Sequence, residues 1–97
     1  MPLPVCTIGH RFRGYCKECD AIVEGTMITG SPDRMIEHMD ICVTGSIGQG
    51  DCGHTCYSIG QSVVWFIDDL PVVRIGDPVA GTIEGELITG WDFVTSD

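Results

Sequence analysis

The stretch Thr82-Ile83-Glu84-Gly85-Glu86-Leu87-Ile88-Thr89-Gly90 repeats a phrase that stands 60 residues earlier, Ile22-Val23-Glu24-Gly25-Thr26-Met27-Ile28-Thr29-Gly30. Midway between the two stands Tyr57-Ser58-Ile59-Gly60, so a glycine closes an equivalent short strand every 30 residues. A repeat of this length cannot bury its own apolar face. The copies must therefore pack against one another or against a partner.

A hairpin is predicted after each of these strands. In the second copy, Ser62–Ile67 is β-branched and aromatic, Asp68-Asp69 suits a tight turn, and Leu70–Ile75 returns. The first copy returns through Met39–Val43, and the third, Trp91–Val94, is cut short by the end of the chain. The pattern predicts an all-β fold of two full repeats and one truncated repeat, packed as a compact pseudo-threefold body.

The length and composition favour one small domain with a thin core, spanning residues 1–97. A chain of 97 residues buries only part of the surface that it exposes when unfolded. Its 13 glycines and 7% aromatic content leave few large side chains for a core. A metal ion or a partner surface is therefore expected to supply the missing stability.

The charge and the cysteines limit the partners and the compartment. The formal charge of -9, from 14 acidic and 5 basic side chains, repels phosphate backbones, so nucleic acid is not expected as a partner. Met1–Val5 does not match a secretory signal, and no stretch approaches the roughly 20 apolar residues that span a bilayer. The chain is expected to fold in a reducing cytoplasm, where its six cysteines are metal ligands or buried thiols.

Two ligand-rich stretches predict one metal site. Cys52-x-His54 lies in a glycine-rich turn, and Cys16-x-x-Cys19 can present two sulfurs to one ion. His10 precedes the second pair. We predict a tetrahedral site made by His10, Cys19, Cys52 and His54, with Cys16 as the first substitute for any of them.

The surroundings of these residues also carry predictions. Residues 1–20 contain two glycines and two prolines, and are expected to form an irregular, ligand-bearing loop. His38 is expected in a hairpin turn, and Glu24 and Glu84 as solvated strand residues. The other thiols, Cys6, Cys42 and Cys56, are predicted to be packing residues or spare thiols rather than ligands.

The stretch Gly60–Val79 resembles the repeat of PAAR proteins, which runs Gly-Ser, apolar strand, Asn-Gly-Lys/Arg-Pro, apolar-Ala-Arg-apolar-Gly-Asp. Pro71, Arg74 and Gly76-Asp77 fall in register with that pattern. The chain departs from it at the turn Asp68-Asp69, at Val73, and at Ala80-Gly81 of the third repeat, where many relatives carry Cys-Gly. All four metal ligands are therefore expected from the first two repeats.

The resemblance implies a fold and a role. PAAR proteins are small cones that cap the blunt end of a trimeric β-helical spike, one copy per trimer, in contractile phage tails and type VI secretion systems. They are structural, membrane-piercing tips rather than enzymes, and hold one metal ion near the apex, usually zinc, with iron as the alternative. This chain is most similar to tips of T4-like phages. It is expected to be made in the host cytoplasm, to be a monomer alone, to reside in the virion at the tip of the spike, and to contact the target envelope transiently.

Other functions compete with this interpretation. The first is a stand-alone zinc-binding module of zinc-ribbon type, which Cys16-x-x-Cys19 supports, although Cys52 and Cys56 do not form a second Cys-x-x-Cys pair. The others are an enzyme with a zinc-bound water or a reactive thiol, and a secreted disulfide scaffold. None of these alternatives explains the 30-residue repeat.

Overall fold

Short strands make up the fold in the computed structural model, which describes residues 2–97. These residues include no helix, and so none that is long and apolar enough to cross a membrane. The predicted all-β class is confirmed. The strands are β1 Leu3–Val5, β2 Arg11–Cys16, β3 Ala21–Met27, β4 Ser31–Ile36, β5 Met39–Ile41, β6 Ile47–Gly50, β7 Thr55–Ser58, β8 Phe66–Ile67, β9 Leu70–Pro71, β10 Pro78–Gly81, β11 Ile83–Leu87 and β12 Trp91–Ser96.

Six of the strands close an antiparallel barrel in the order β10-β11-β2-β3-β6-β7. It is built from three sequential hairpins, β2-β3, β6-β7 and β10-β11, and each hairpin supplies one copy of the repeated strand. Strand alternation sends Phe12 and Cys16 inward and Arg13 and Tyr15 outward. The barrel core is formed by Cys6, Phe12, Cys16, Met27, Cys42, Cys56, Val73, Val79, Ile83 and Leu87.

Three two-stranded sheets lie outside the barrel, one for each repeat: β4-β5, β8-β9 and β1-β12. We call them together the base, formed by residues 2–5, 31–41, 61–72 and 91–97. Asp68-Asp69 makes the predicted turn between β8 and β9, and Glu37-His38 makes the equivalent turn between β4 and β5. All four turn residues have positive φ, from 52° to 67°, as a two-residue hairpin with right-handed strand twist requires.

Two predictions about the ends of the chain are wrong. The third repeat is not truncated, because β1 pairs with β12 and supplies the missing return strand, with Leu3 opposite Ser96. Residues 1–20 are not an irregular loop either, since β2 is a regular barrel strand hydrogen-bonded to both β3 and β11. Gly9 lies in the turn and Pro4 in the short strand β1, whereas Gly14 lies inside β2, opposite Gly85 of β11.

A ring of three backbone hydrogen bonds joins the repeats at their common axis. Cys6 N–H donates to Val73 C=O at 2.9 Å, Val73 N–H to Cys42 C=O at 3.0 Å, and Cys42 N–H to Cys6 C=O at 3.0 Å. The residues before and after them form the matching bridges Val5 with Arg74, Thr7 with Ile41, and Val43 with Val72. This closed ring is the pseudo-threefold arrangement that the repeat predicts.

The ring separates two cores. Cys6, Cys42 and Val73 point into the barrel core, while the residues immediately before them, Val5, Ile41 and Val72, enter a second core under the base. Ile67 and Val43 complete that second core, and Ile36, Trp65 and Val94 pack against it. Adjacent residues therefore serve different cores, as period-two alternation in extended chain requires.

The same six-residue turn follows the ring in every repeat. Gly9, Gly45 and Gly76 all have φ near +90°, a conformation that side chains rarely adopt. The residue after each glycine accepts a hydrogen bond from a backbone N–H three residues earlier: Thr7 to His10 Nδ1 at 3.0 Å, Val43 to Ser46 Oγ at 3.0 Å, and Arg74 to Asp77 Oδ2 at 2.9 Å. His10 is thus one of three turn-capping residues.

The glycine before the β8-β9 hairpin permits a close backbone approach. A Cβ atom at Gly60 would lie 2.2 Å from the carbonyl oxygen of Pro71. We expect Gly60→Ala to lower the free energy of unfolding by about 3 kcal/mol, because backbone must move to admit it. Gly9→Ala meets open space and carries only the strain of its positive φ, so we expect a loss of about 1 kcal/mol. Equal losses in urea unfolding would contradict this account.

The buried thiols at the ring predict alkaline unfolding. Burial raises the pKa of Cys42 to about 12, and that of Cys6 well above its ordinary value. Because the folded state keeps protons that the unfolded chain loses near pH 9, the stability that these thiols give below pH 9 is lost as pH rises toward 12. With a metal chelator in the buffer, the free energy of unfolding should fall between pH 9 and pH 12. Cys42→Val, which copies Val73, should reduce the slope by about 1.4 kcal/mol per pH unit; an unchanged slope would contradict the assignment.

Candidate metal centre

Two hairpin turns of the barrel bring four candidate ligands together. Cys16 ends β2, and Cys19 lies in the turn to β3. Cys52 and His54 lie in the turn between β6 and β7, where Gly53 has φ of +92°. The four ligand atoms all lie within 4.8 Å of one another, so this cluster could hold a metal ion.

The spacing within the cluster is that of ligands around one centre. Cys16 Sγ lies 3.4 Å from His54 Nδ1, and Cys19 Sγ lies 3.5 Å from the same nitrogen. Cys52 Sγ lies 3.8 Å from Cys16 Sγ. Three sulfurs and one imidazole are a donor set that could close a tetrahedral site around one ion.

The cluster lies at the surface of the barrel end, with one ligand inside. Cys16 is fully buried, Cys52 and His54 are half-buried, and Cys19 is exposed. A metal here would join two chain segments that are far apart in sequence.

Hydrogen bonds already favour negative charge on one sulfur. Burial acts to raise the pKa of the Cys16 thiol, but hydrogen bonds from the backbone N–H groups of Cys19 and Glu18 and from neighbouring thiols outweigh it, so this pKa lies below its ordinary value. The Cys19 N–H lies 3.4 Å from Cys16 Sγ. The side-chain hydrogen bond to Cys16 in turn raises the pKa of Cys19 to about 11. Of these two cysteines, Cys16 therefore loses its proton more readily, and thiolate is the form of cysteine that binds metal.

The third hairpin of the barrel joins this end without a ligand. Its turn at Gly81-Thr82 contacts the Cys16-x-x-Cys19 turn through a hydrogen bond from Lys17 N–H to Thr82 C=O at 2.9 Å. The expectation that the first two repeats supply all the ligands agrees with the cluster. The third turn is thus held by a backbone hydrogen bond, whereas the other two turns carry the ligands.

His10, one of the four preferred ligands, is placed elsewhere. Between His10 and Cys16 the chain runs as strand β2, which advances about 20 Å over six residues. The His10 ring instead accepts the Thr7 N–H and contacts the edge of Trp91, with ring centroids 5.4 Å apart. Burial lowers the pKa of His10, which favours the neutral ring that this acceptor role needs. Cys16 takes the place that we expected for His10.

A signal in the sequence could have separated these roles. Val5–His10, Ile41–Ser46 and Val72–Asp77 share the pattern apolar, three residues, glycine, polar. Aligning them assigns His10 to the same turn position as Ser46 and Asp77. The other thiols, Cys6, Cys42 and Cys56, are buried in the barrel core as expected.

Comparison of the chain with protein-family models, curated proteins and solved structures found no match. The class of protein is defined by its own fold and site: it is an all-β protein with a closed six-stranded barrel and a Cys/His cluster that could hold a metal.

Substitutions in the cluster test the ligand set. We expect Cys52→Ser and His54→Ala to weaken metal binding by more than about 100-fold, since even residues that only support ligands contribute 10–100-fold. Both should also lower the midpoint of thermal unfolding if the ion contributes to folding. His10→Asn, the control, should keep one metal ion per chain in elemental analysis. Loss of metal in the control with retention in Cys16→Ser would reverse the assignment.

Proposed function

We propose that this protein is a structural tip that caps a trimeric β-helical spike, as PAAR proteins do, in a contractile phage tail or a type VI secretion system. The observation that carries the proposal is the pseudo-threefold ring at Cys6, Cys42 and Val73, with three equivalent sheets on one side of it. One chain with internal threefold symmetry can present a similar face to each of three identical chains. The proposed stoichiometry is one copy per spike trimer.

The base has the surface that such docking needs. Val63 and Phe93 are 74% and 69% exposed, and Val64 and Met35 are more than half exposed. All three sheets contribute to this apolar surface, which monomers normally keep small. Seven of the large exposed apolar residues belong to the base: Met35, Met39, Val63, Val64, Phe66, Leu70 and Phe93.

Zinc fits the ligand cluster in both chemistry and size. Bonds of about 2.3 Å to sulfur and 2.0 Å to nitrogen at tetrahedral angles place two sulfurs about 3.8 Å apart and sulfur and nitrogen about 3.5 Å apart. The chain has 3.8 Å between Cys52 and Cys16 and 3.4–3.5 Å between His54 and its two sulfur neighbours. We infer one structural zinc ion, with iron, which thiolates also bind, as the alternative.

The donor set favours a structural role over catalysis. Catalytic zinc keeps one position open for water or substrate, whereas here the chain supplies four donors for a tetrahedral ion. The repeated carboxylates are engaged at the surface, Glu24 with Arg13 at 3.0 Å and Glu84 with Lys17 at 3.0 Å. We therefore propose a protein that resists deformation rather than one that turns over a substrate.

In this role the base and the end that carries the ligand cluster have different functions. The base binds the blunt end of the spike, and the metal holds two of the three apical loops together under axial load, because bonds to the ion also contribute to folding. The proposed path is synthesis in the host cytoplasm, assembly as a monomer onto the virion spike, and brief contact with the target envelope. Nucleic acid has no place in it, since the net charge is -9.

A stand-alone zinc module is the second candidate. The ligand cluster fits it equally well. It gives no reason for three sheets to surround one axis or for apolar side chains to stay exposed on all of them. The spike-tip proposal accounts for both features.

Native mass spectrometry tests the proposal in one measurement. The purified chain is mixed with a designed trimeric β-helix that has a blunt, apolar end. We expect one chain carrying one metal ion on three β-helix chains, and a metal-loaded monomer in the absence of the β-helix. A metal-loaded chain that never joins the trimer would favour the zinc module, and a 3:3 complex would refute the symmetry argument.

The base also allows a point test. Val63→Ser and Phe93→Ser remove exposed apolar area, so we expect both to weaken the complex. The free energy of unfolding should change by less than about 0.5 kcal/mol in Val63→Ser and fall by about 1 kcal/mol in Phe93→Ser, which loses the ring contact with Trp91. Ile22→Ser, at an equally exposed barrel position, is the control and should leave the complex unchanged. A loss of binding in the control alone would place the interface on the barrel.

A further inference from the structure

Negative charge is concentrated at the base. Its four segments, 2–5, 31–41, 61–72 and 91–97, hold seven of the 14 acidic residues and only one of the five basic residues, Arg34. The rest of the chain holds the other seven acidic and four basic residues. The base thus carries a formal charge of -6 on about a third of the chain.

The barrel, by contrast, neutralises much of its charge locally. Each of the four basic side chains outside the base forms an ion pair, three with a carboxylate on another strand or turn and one within its own turn. The pairs are Arg11 with Asp51 at 2.8 Å, Arg13 with Glu24 at 3.0 Å, Lys17 with Glu84 at 3.0 Å, and Arg74 with Asp77 at 3.1 Å. The base therefore carries -6 of the net charge of -9, together with seven of the twelve large exposed apolar residues that the structure describes.

Carboxylates from two sheets of the base crowd one another. A side-chain hydrogen bond with Asp33 of β4, and then the negative charges of Asp33 and Asp69, raise the pKa of Asp68. Asp33, Asp68 and Asp69 are all exposed, in the same region as Phe66 and Leu70. A cation brought to this position would relieve their repulsion.

We propose that the end of the partner that receives the base is basic, with lysine or arginine side chains arranged around an apolar centre. This inference rests on the proposed function and specifies the chemistry of the spike end. Apolar contact between Phe93, Val63 and their neighbours supplies the contact area, and the acidic residues around them select a cationic rim. Charge complementarity of this kind mainly sets partner choice and association rate.

The same charge argues against the other occupants of this face. A second copy would bring two faces of -6 together, and like charges across an interface exclude partners. An anionic lipid surface is repelled for the same reason. A basic protein end is the occupant that satisfies both the apolar and the acidic residues.

Two β-helix probes test the inference. They are identical designed trimeric β-helices with an apolar blunt end, except that the rim of one carries lysine and that of the other glutamate. We expect the lysine probe to bind at least about tenfold more tightly at 50 mM salt, with the difference shrinking at 500 mM, where screening shortens the reach of charge to about 4 Å.

Matched variants assign the effect to the base. Asp33→Asn, Asp68→Asn and Asp69→Asn combined should reduce the preference for the lysine probe at least threefold. The control combines Glu18→Gln, Glu84→Gln and Glu86→Gln, which removes the same charge from the barrel and should keep the preference. Loss of preference in the control instead would overturn the assignment to the base.

The outcomes separate this inference from the proposed function. Equal, salt-independent binding of both probes, or a preference for glutamate, refutes the basic partner but leaves the spike-tip role intact. Failure of both probes to bind at any salt concentration counts against both. Self-association of the chain through the base would also overturn the inference.

Discussion

The structure depends on the three backbone hydrogen bonds among Cys6, Cys42 and Val73. Each of these groups is buried, so an unpaired N–H or C=O there would carry the full cost of its desolvation. Cys6, Cys42 and Val73 all enter the barrel core, whereas the residues immediately before them enter the core under the base, so a shift of one position in any repeat would misplace apolar side chains in both. The ring therefore aligns the register of the barrel and of the base at once.

The ligand cluster lies at the end of the barrel away from the ring, which we call the apex and which is formed by the turns at residues 17–20, 51–54 and Thr82. Cys16, Cys56 and Ile83 fill the inward positions of the strands next to it. Two turns contribute ligands, and the third is held by the Lys17 to Thr82 hydrogen bond. A metal at the apex and a hydrogen-bonded ring below it would hold the six strands at two levels, which suits a body that must resist bending.

The proposed role follows from this division into a threefold base and an apex that lacks that symmetry. In the proposed role, each of the three similar sheets of the base would face one of three identical spike chains, while an apex that holds one ion can take its ligands from two repeats. The third repeat is freed from supplying a ligand and keeps the short turn Gly81-Thr82. On about a third of the chain, the base holds seven of the 14 acidic residues and seven of the twelve large exposed apolar residues that the structure describes, which suits the proposed docking end.

The amino-acid sequence predicts the all-β class, the 30-residue repeat, the turn at Asp68-Asp69, and three of the four residues that meet in the ligand cluster, Cys19, Cys52 and His54. These features can be predicted because strand alternation, turn chemistry and ligand type are local properties. Only the tertiary structure decided that β1 completes the third repeat and that His10 caps a turn while Cys16 joins the cluster. Both depend on contacts between distant segments: Leu3 meets Ser96, and the extended course of β2 sends His10 and Cys16 to opposite ends of one strand. Spacing along a chain cannot report such separations until the strand pairing is known.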